Sequence, residues 1–409
     1  MALAPKKALV LGGGIAGVTA ALSLARAGVG VDLVEKDDFI GGYAASLACK
    51  ALDQCQKCNG CLAEARLRQA LVHPDIKIHR RATLASMNQQ GRGFKATLTQ
   101  QPAYIDPAEC TLCGLCLQEC PLAEQGPIRR SPLPFDQTRL AIDPEVCLYF
   151  KDHKSTLCRD VCPEEAIDFR QEPRELVLEA DVLVLATGYR PYDAAKRERL
   201  AYGRVPNVIT GMELEAMLRR QGKVLRPSDG TEPRRVAFIQ CVGSRDRQGH
   251  NYCSRVCCAY GLRLGRTLRH RFGAQVSMFY MDWQSFGHDF DRFLDQAREE
   301  LELIRAMPYD VSRGQDGEVK LSYQAQAGQA LETRAYDLLV LCVGITPGED
   351  NAGLAQATET GLSQHGFLKP SPGRGVFVAG TAGRPLDVAE TVAHAGRAAQ
   401  EALHYLEEN

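Results

Sequence analysis

Lys7-Ala8-Leu9-Val10-Leu11-Gly12-Gly13-Gly14-Ile15-Ala16-Gly17 is an apolar run that ends in Gly-x-Gly-x-x-Gly. The apolar residues have strand character, and Thr19 to Ala27 reads as an alanine-rich helix. Gly28 and Gly30 end that helix, and Val31-Asp32-Leu33-Val34-Glu35 reads as the next strand. Strand, glycine turn, helix and a terminal acid together make a dinucleotide-binding fingerprint. The glycines let the backbone approach a pyrophosphate, which then sits on the amides at the helix start, around Ile15 and Ala16. Glu35, with Lys36 beside it, would accept from a ribose hydroxyl. A glycine turn without a ligand is the bland alternative, and the acid closing the second strand weighs against it.

Gly41-Gly42 follows directly. In flavoproteins with two dinucleotide domains, such a pair lets the chain pass close to the flavin, which points to FAD rather than NAD here. The pattern returns late in the chain. Leu176 to Leu185 is a buried-strand run ending in Ala186-Thr187-Gly188, a crossing point between two domains. Gly375 to Gly383 carries Gly380-Thr381, and a helix is expected from Val388 to Leu406. Its N-terminus should face the flavin, where the positive dipole end favours the electron-rich reduced ring. Many relatives place Asp where this chain has Thr381, which weakens that contact.

The second dinucleotide-like unit is the odd one. Val236 to Gln240 reads as a strand and Ala259 to Arg271 as a helix, yet between them the phosphate loop is replaced by cysteines. The stretch is Cys241-Val-Gly-Ser-Arg-Asp-Arg-Gln-Gly-His-Asn-Tyr-Cys253-Ser-Arg-Val-Cys257-Cys258. Gly243 alone remains of the fingerprint. We read an iron–sulfur site where a nicotinamide dinucleotide would bind, next to the flavin, with the adjacent thiols at the first turn of the helix. A zinc site that only braces the fold is the alternative. Val276 to Met281 is the next strand, ending at Asp282, and Phe290, Phe293, Leu294, Ala297, Leu301 and Ile304 recur at helical spacing as core. One FAD and no separate NAD site are expected.

Cysteine is the compositional outlier, at sixteen of 409 residues. All but Cys342, read as a buried small hydrophobe, fall in four groups. The start of the chain runs directly into a strand, no signal peptide is expected, and clustered cysteines then favour metal over disulfides. Cys110-x2-Cys113-x2-Cys116-x3-Cys120-Pro121 is the bacterial ferredoxin run, and Cys147, Cys158 and Cys162-Pro163 form a partial second copy. In two-cluster ferredoxins the fourth cysteine of each run ligates the other cluster. One cluster would use Cys110, Cys113, Cys116 and Cys162. The other would use Cys120, Cys147 and Cys158 and is one ligand short, because Ser155 stands where a cysteine is expected. An absent cluster, a three-iron cluster and an oxygen ligand all fit that half. Cys49, Cys55, Cys58 and Cys61 have spacing that fits a further cluster, a zinc site or a redox thiol pair.

Net charge is −1, so nothing suggests a nucleic-acid partner. No apolar run approaches a membrane span, and any membrane role is expected through partners. Arg219, Arg220 and Lys223 read as a solvated helix face. The expected architecture is α/β, a two-dinucleotide-domain flavoprotein of the thioredoxin/glutathione-reductase kind with an inserted ferredoxin-like domain. The partition is FAD domain 1–101, insert 102–172, FAD domain and crossover 173–232, degenerate nicotinamide-type domain 233–345 and FAD domain 346–409.

Gly12 to Gly42, the inserted ferredoxin, Phe238-Ile-Gln-Cys-Val-Gly-Ser-Arg-Asp246, Cys253-Ser-Arg-Val-Cys-Cys258 and Phe279-Tyr-Met-Asp282 resemble the heterodisulfide reductase A subunits over essentially the whole chain. In size the chain is expected to be a short member, without the extra N-terminal domain and C-terminal ferredoxin of the long ones. It looks like the A subunits of the quinone-interacting membrane-bound oxidoreductases. That resemblance implies FAD and at least two [4Fe–4S] clusters. It implies three partners: a related flavin and iron–sulfur protein (the B subunit of such complexes), a membrane haem b protein (the C subunit), and adenylylsulfate reductase as the soluble one. It also implies a cytoplasmic protein peripheral to the inner membrane, relaying electrons between the menaquinone pool and that reductase in sulfate reduction. A flavin-bifurcating member of a heterodisulfide-reductase-like complex is the second reading. A scaffold with remnant cofactors is the third, opposed by the intact Gly12-Gly14-Gly17 loop and the full Cys241 to Cys258 set.

Overall fold

The computed structural model describes residues 6–136, 140–247, 249–284, 289–325 and 330–409; the N-terminal Met1–Pro5 and Gln248 of the cysteine stretch lie outside the described residues. Two five-stranded parallel sheets carry the chain. The first has the order Val376–Val378, Val182–Leu185, Lys7–Leu11, Gly30–Val34, Ile76–His79. The second has the order Val208–Thr210, Leu338–Val343, Arg235–Val242, Gln275–Phe279, Glu302–Ile304. The central strands are apolar runs because both faces of each sheet are covered. Helices Ile15–Arg26 and Val388–Glu408 pack on one face of the first sheet through Ala20, Leu24, Ala395, Ala399 and Ala402. Helices Gly211–Gln221 and Cys257–Phe272 cover one face of the second.

An antiparallel sheet of Ala82–Gln90, Gly93–Gln100 and Arg174–Ala180 covers the other face of the first. Gln100 pairs directly with Arg174, so the cysteine-rich segment between them leaves and re-enters the FAD domain at one point. That segment has its own core of Ile105, Ile128, Ile142, Ile167 and Phe169. It is fastened to the FAD domain by Leu133, which joins the core of the first sheet, and by the Arg80–Asp136 ion pair at 3.0 Å.

Two expected elements divide. The Leu176 to Leu185 run splits at Asp181 into Arg174–Ala180 of the antiparallel sheet and Val182–Leu185 of the first parallel sheet. The helical pattern from Phe290 stops at Glu300, and Glu302–Ile304 is instead an edge strand paired parallel with Ser277–Phe279. The apolar Leu301 and Ile304 serve the same core from a different backbone, which spacing alone cannot distinguish over so short a run. Arg219 also departs from expectation: it is partly buried, pairs with Glu64 at 3.5 Å and donates to the carbonyl of Pro132.

The two dinucleotide-type domains are joined by more than the crossing strands Arg190–Pro191 and Ile345–Thr346. Lys50 of the first domain and Glu215 of the second form an ion pair at 2.5 Å with side chains only 2% and 4% exposed. Lys50 also donates to the carbonyl of Ala48, whose amide donates to Glu215, both at 3.0 Å. Two charges out of water are expensive, so this pair fixes geometry rather than adding stability. Lys50→Met alone is expected to cost about 3–5 kcal/mol, and Lys50→Met with Glu215→Leu to recover most of it. Denaturant unfolding of the two variants checks this.

Candidate functional site

The glycine turn is shaped for close approach. Gly12 has φ +108°, and a Cβ there would lie 2.3 Å from the carbonyl oxygen of Ala186. At Gly17 it would lie 1.8 Å from the carbonyl oxygen of Gly12. Gly14, by contrast, has nothing within 4 Å of where a Cβ would be, and it caps the helix with no side chain on the first amides. A free amide cluster with open space in front of it fits a pyrophosphate. Gly41 sits directly beside it, bridged to Gly14 and bonded to the carbonyl of Gly13 at 2.8 Å, and Gly42 follows in the left-handed region.

Glu35 is buried and accepts from the amides of Gly13 at 2.8 Å and Asp37 at 2.9 Å. Burial outweighs these bonds and pushes its pKa up to about 6. Lys36 points outward to Asp350 at 3.4 Å. Across the cradle, Thr187 has a buried hydroxyl without a partner, an orphan that a bound group would satisfy. Gly188 follows in the left-handed region, and Tyr189 stacks obliquely on Tyr43 at 5.0 Å between ring centres. Gly380 packs against Ala16 and donates to His394, and Thr381 is buried. The helix starting at Val388 is capped by Asp387 and Glu390 reciprocally, so the dipole end expected to face the flavin is partly answered by its own carboxylates.

Cys241, Cys253, Cys257 and Cys258 converge. Cys241 takes a left-handed backbone (φ +58°) at a bulge in its strand, which turns its thiol back toward the helix. Cys257 and Cys258 open that helix, whose N-cap residue Val256 offers no side-chain bond to the first amides. All are within electrostatic reach of one another, and burial pushes Cys241 up to about 12 and raises Cys257 and Cys258. Cys342 is not isolated in its strand: it lies within electrostatic reach of Cys241 and Cys258, fully buried, and Tyr260 donates to the carbonyl of the next residue, Val343, at 3.0 Å. Spacing could not show this, because Cys342 is far away along the chain.

The loop touches the flavin cradle twice. Arg255 pairs with Glu390 at the start of the Val388 helix, and Tyr189 lies within electrostatic reach of Cys257. Neither contact was legible from motifs. Nor was the engagement of Asp282 by Arg245 in a two-pronged pair, which holds that carboxyl down near about 2.

In the insert, Cys110, Cys113, Cys116 and Cys162 line one small cavity with Ile105 and Leu140. Cys120, Cys147 and Cys158 gather beside it, Cys158 being in reach of the other two and of Cys116. Burial raises both Cys116 and Cys158 to about 11. Cys49, Cys55 and Cys61 are exposed and Cys58 half-buried; Cys61 lies in the first turn of helix Gly60–Leu71 and Cys58 just before it. Among the described residues no three His, Cys, Asp or Glu side chains are close enough to share a single metal ion. A four-iron cluster spreads its thiolates wider than one tetrahedral zinc does, because the irons lie between them.

Residues 8–103 match the family of FAD dependent oxidoreductases, and residues 103–122 match the 4Fe-4S binding domain. Over 97% of its length the chain is 35% identical to the A subunit of the H(2):CoB-CoM heterodisulfide,ferredoxin reductase of Methanothermobacter marburgensis. This chain is similar to the heterodisulfide reductase A subunits over nearly its whole length. It is also 31% identical, over 98% of its length, to the A subunit of the ferredoxin:CoB-CoM heterodisulfide reductase of Methanosarcina mazei. It spans 63% of the first relative and 53% of the second. Thioredoxin reductases of T. acidophilum (TM-score 0.55, 14% identity, 98% of this chain and 99% of that one) and Lactococcus lactis (0.54, 14%, 99% and 100%) share the fold. FAD and [4Fe–4S] clusters are thus the cofactors of this oxidoreductase. No helix among the described residues is long and apolar enough to cross a membrane.

Flavin binding should be pH-sensitive with the ribose of FAD on Glu35. A ribose hydroxyl donates best to its ionised form, so FAD affinity of the apoprotein should fall up to tenfold per unit as pH drops below about 6. The stability contribution has the opposite sign. The folded pKa lies above the unfolded value of 4.5, so apoprotein stability is lost as pH rises through about 6 and present below 4.5. Flavin fluorescence titrations between pH 5 and 8, repeated with Glu35→Gln, should show the affinity loss in the parent and a flat profile in the variant.

Proposed function

We propose that this chain passes electrons between FAD at the Gly12–Gly17 turn and a four-iron cluster on Cys241, Cys253, Cys257 and Cys258, as the flavin-bearing member of a heterodisulfide-reductase-like complex. The observation that carries this is the Arg255–Glu390 pair, which ties the cysteine loop to the helix that starts beside the flavin cradle. Bound FAD supplies the conversion between two-electron and one-electron chemistry, and the clusters carry single electrons. The protein holds the cradle open at Gly14, positions Tyr43 and Tyr189 across it, and keeps the thiols buried behind them. In the insert, Cys110, Cys113, Cys116 and Cys162 hold a second cluster, and Cys120, Cys147 and Cys158 a third centre whose remaining position is that of Ser155. Cys49, Cys55, Cys58 and Cys61 hold a further one.

The M. marburgensis relative is named for hydrogen, heterodisulfide and ferredoxin together, one donor and two acceptors. That supports a branching flavin here, with electrons leaving by two cluster routes. The quinone-linked reading would instead pair the chain with a membrane haem b protein and adenylylsulfate reductase. Both relatives described above are named for the heterodisulfide, which favours the heterodisulfide reading. Co-purification from the native source decides it: a haem-bearing membrane partner would overturn the preference.

Anaerobically prepared protein should contain at least about eight irons per FAD, as two four-iron clusters require. Cys257→Ala should keep its FAD, lose about four irons and slow flavin-to-insert electron transfer in stopped-flow reduction. Loss of flavin, or an unchanged rate, would place the cluster elsewhere. Ser155→Cys should raise the iron content if the incomplete half-site is built.

A further inference from the structure

Helix Cys257–Phe272 does more than present Cys257 and Cys258. The segment that carries Cys49 to Cys58 runs along it. Ala48 packs into the same core as Cys257 and Cys258. Arg271 donates to the carbonyl of Ala51 at 2.6 Å, and Gln56 reaches Thr267 at 3.3 Å. Arg263 donates from Nε to the carbonyl of Gln56 at 2.8 Å, and its guanidinium lies over the ring of Phe293 at 5.6 Å. The titratable groups within its electrostatic reach include Cys58, Asp387 and Cys55. Asp387 is already engaged as the cap of the Val388 helix. Among the described residues no carboxylate stands within ion-pair distance of Arg263.

Arginine keeps its charge at any physiological pH, and a half-buried guanidinium whose one carboxylate neighbour, Asp387, lies beyond ion-pair distance is poorly compensated. Neutral thiols do not supply an anion. Thiolates bound to iron do, since a four-iron cluster with its cysteine ligands carries net negative charge, and reduction adds one more. We propose that Arg263 is the counter-cation of an anionic iron–sulfur centre held by Cys55, Cys58 and Cys61, so that one helix serves two centres. Its first turn supplies thiols to the flavin-side cluster, and Arg263, roughly 8 Å further along the axis at 1.5 Å per residue, balances the second. This rests on the assignment of the Cys49–Cys61 group to a cluster. Arg263 is a positioning and tuning residue, raising the reduction potential of its centre because positive charge favours the reduced, more negative state.

The test is a redox titration of the FAD- and cluster-loaded protein followed by electron paramagnetic resonance, on the parent, Arg263→Gln, Arg263→Lys and Cys58→Ser. Arg263→Gln should keep its iron and FAD while one cluster signal moves to more negative potential, and Arg263→Lys should hold it near the parent value. Loss of that centre in Arg263→Gln but not in Arg263→Lys supports the same conclusion. Unmoved potentials with iron intact, or equal loss in both variants, overturn it. Cys58→Ser separates the two levels: if it loses no iron and no signal, the cluster assignment itself fails, whatever Arg263 does.

Discussion

Burial of thiols is the constraint on which the second domain depends. Cys241, Cys257, Cys258 and Cys342 sit among apolar side chains, and the surroundings of each disfavour a thiolate, chiefly by desolvation and further by the neighbouring sulfurs. Without a metal these groups are neutral and inert. Iron reverses the balance, since it supplies the positive charge that both buried thiolates and crowded thiolates require. Loading with iron would therefore release protons and hold the loop, the strand bulge at Cys241 and the helix start together.

The same logic explains why the loop is so heavily braced. Ser254 donates or accepts at Ser244 and also receives the amide of Ile345 at 2.8 Å. Tyr252 reaches the carbonyl of Ile345, and a Cβ at Gly243 would fall 2.0 Å from the ring of Tyr192. These contacts lead from the cysteine loop to the strands that cross between domains. Lys50 and Glu215 then tie the domains from the other side. Relative domain motion is the ordinary expectation for two domains linked by two strands. Here ion pairs cross the interface at two separate places, Lys50–Glu215 and Arg255–Glu390, and both oppose such motion.

What could be read from the chain alone was local. Gly12, Gly14 and Gly17, the ferredoxin spacing and the Cys241 to Cys258 pattern each fall within a few turns of backbone, where spacing and geometry are nearly the same thing. The fold class followed because those motifs occur at the ends of strands. What was not legible joins residues far apart in sequence. Arg255 and Glu390 are 135 positions apart, and Arg263 and Gln56 are 207. No periodicity connects them, and a lone Arg or Lys has many more ordinary fates than these. Cys342 shows the same limit: burial was foreseen, but its company was not.

The fate of Asp282 is the clearest sign of how the second domain changed its chemistry. It lies three residues past the strand Gln275–Phe279 that follows the cysteine helix, near the place that corresponds to Glu35, which directly follows Gly30–Val34 in the first domain. The two carboxylates have been driven in opposite directions. Glu35 is held by backbone amides alone, is pushed up by burial, and keeps acceptor capacity for a ligand. Asp282 is taken by the guanidinium of Arg245, a residue of the cysteine loop, and is also reached by Gln284. A dinucleotide entering here would have to displace a charge-assisted, two-pronged pair as well as find phosphate donors where thiols stand. On the proposed reading, the loop that carries the cysteines also engages this acid, so a single segment accounts for both the missing dinucleotide contacts and the supply of thiols.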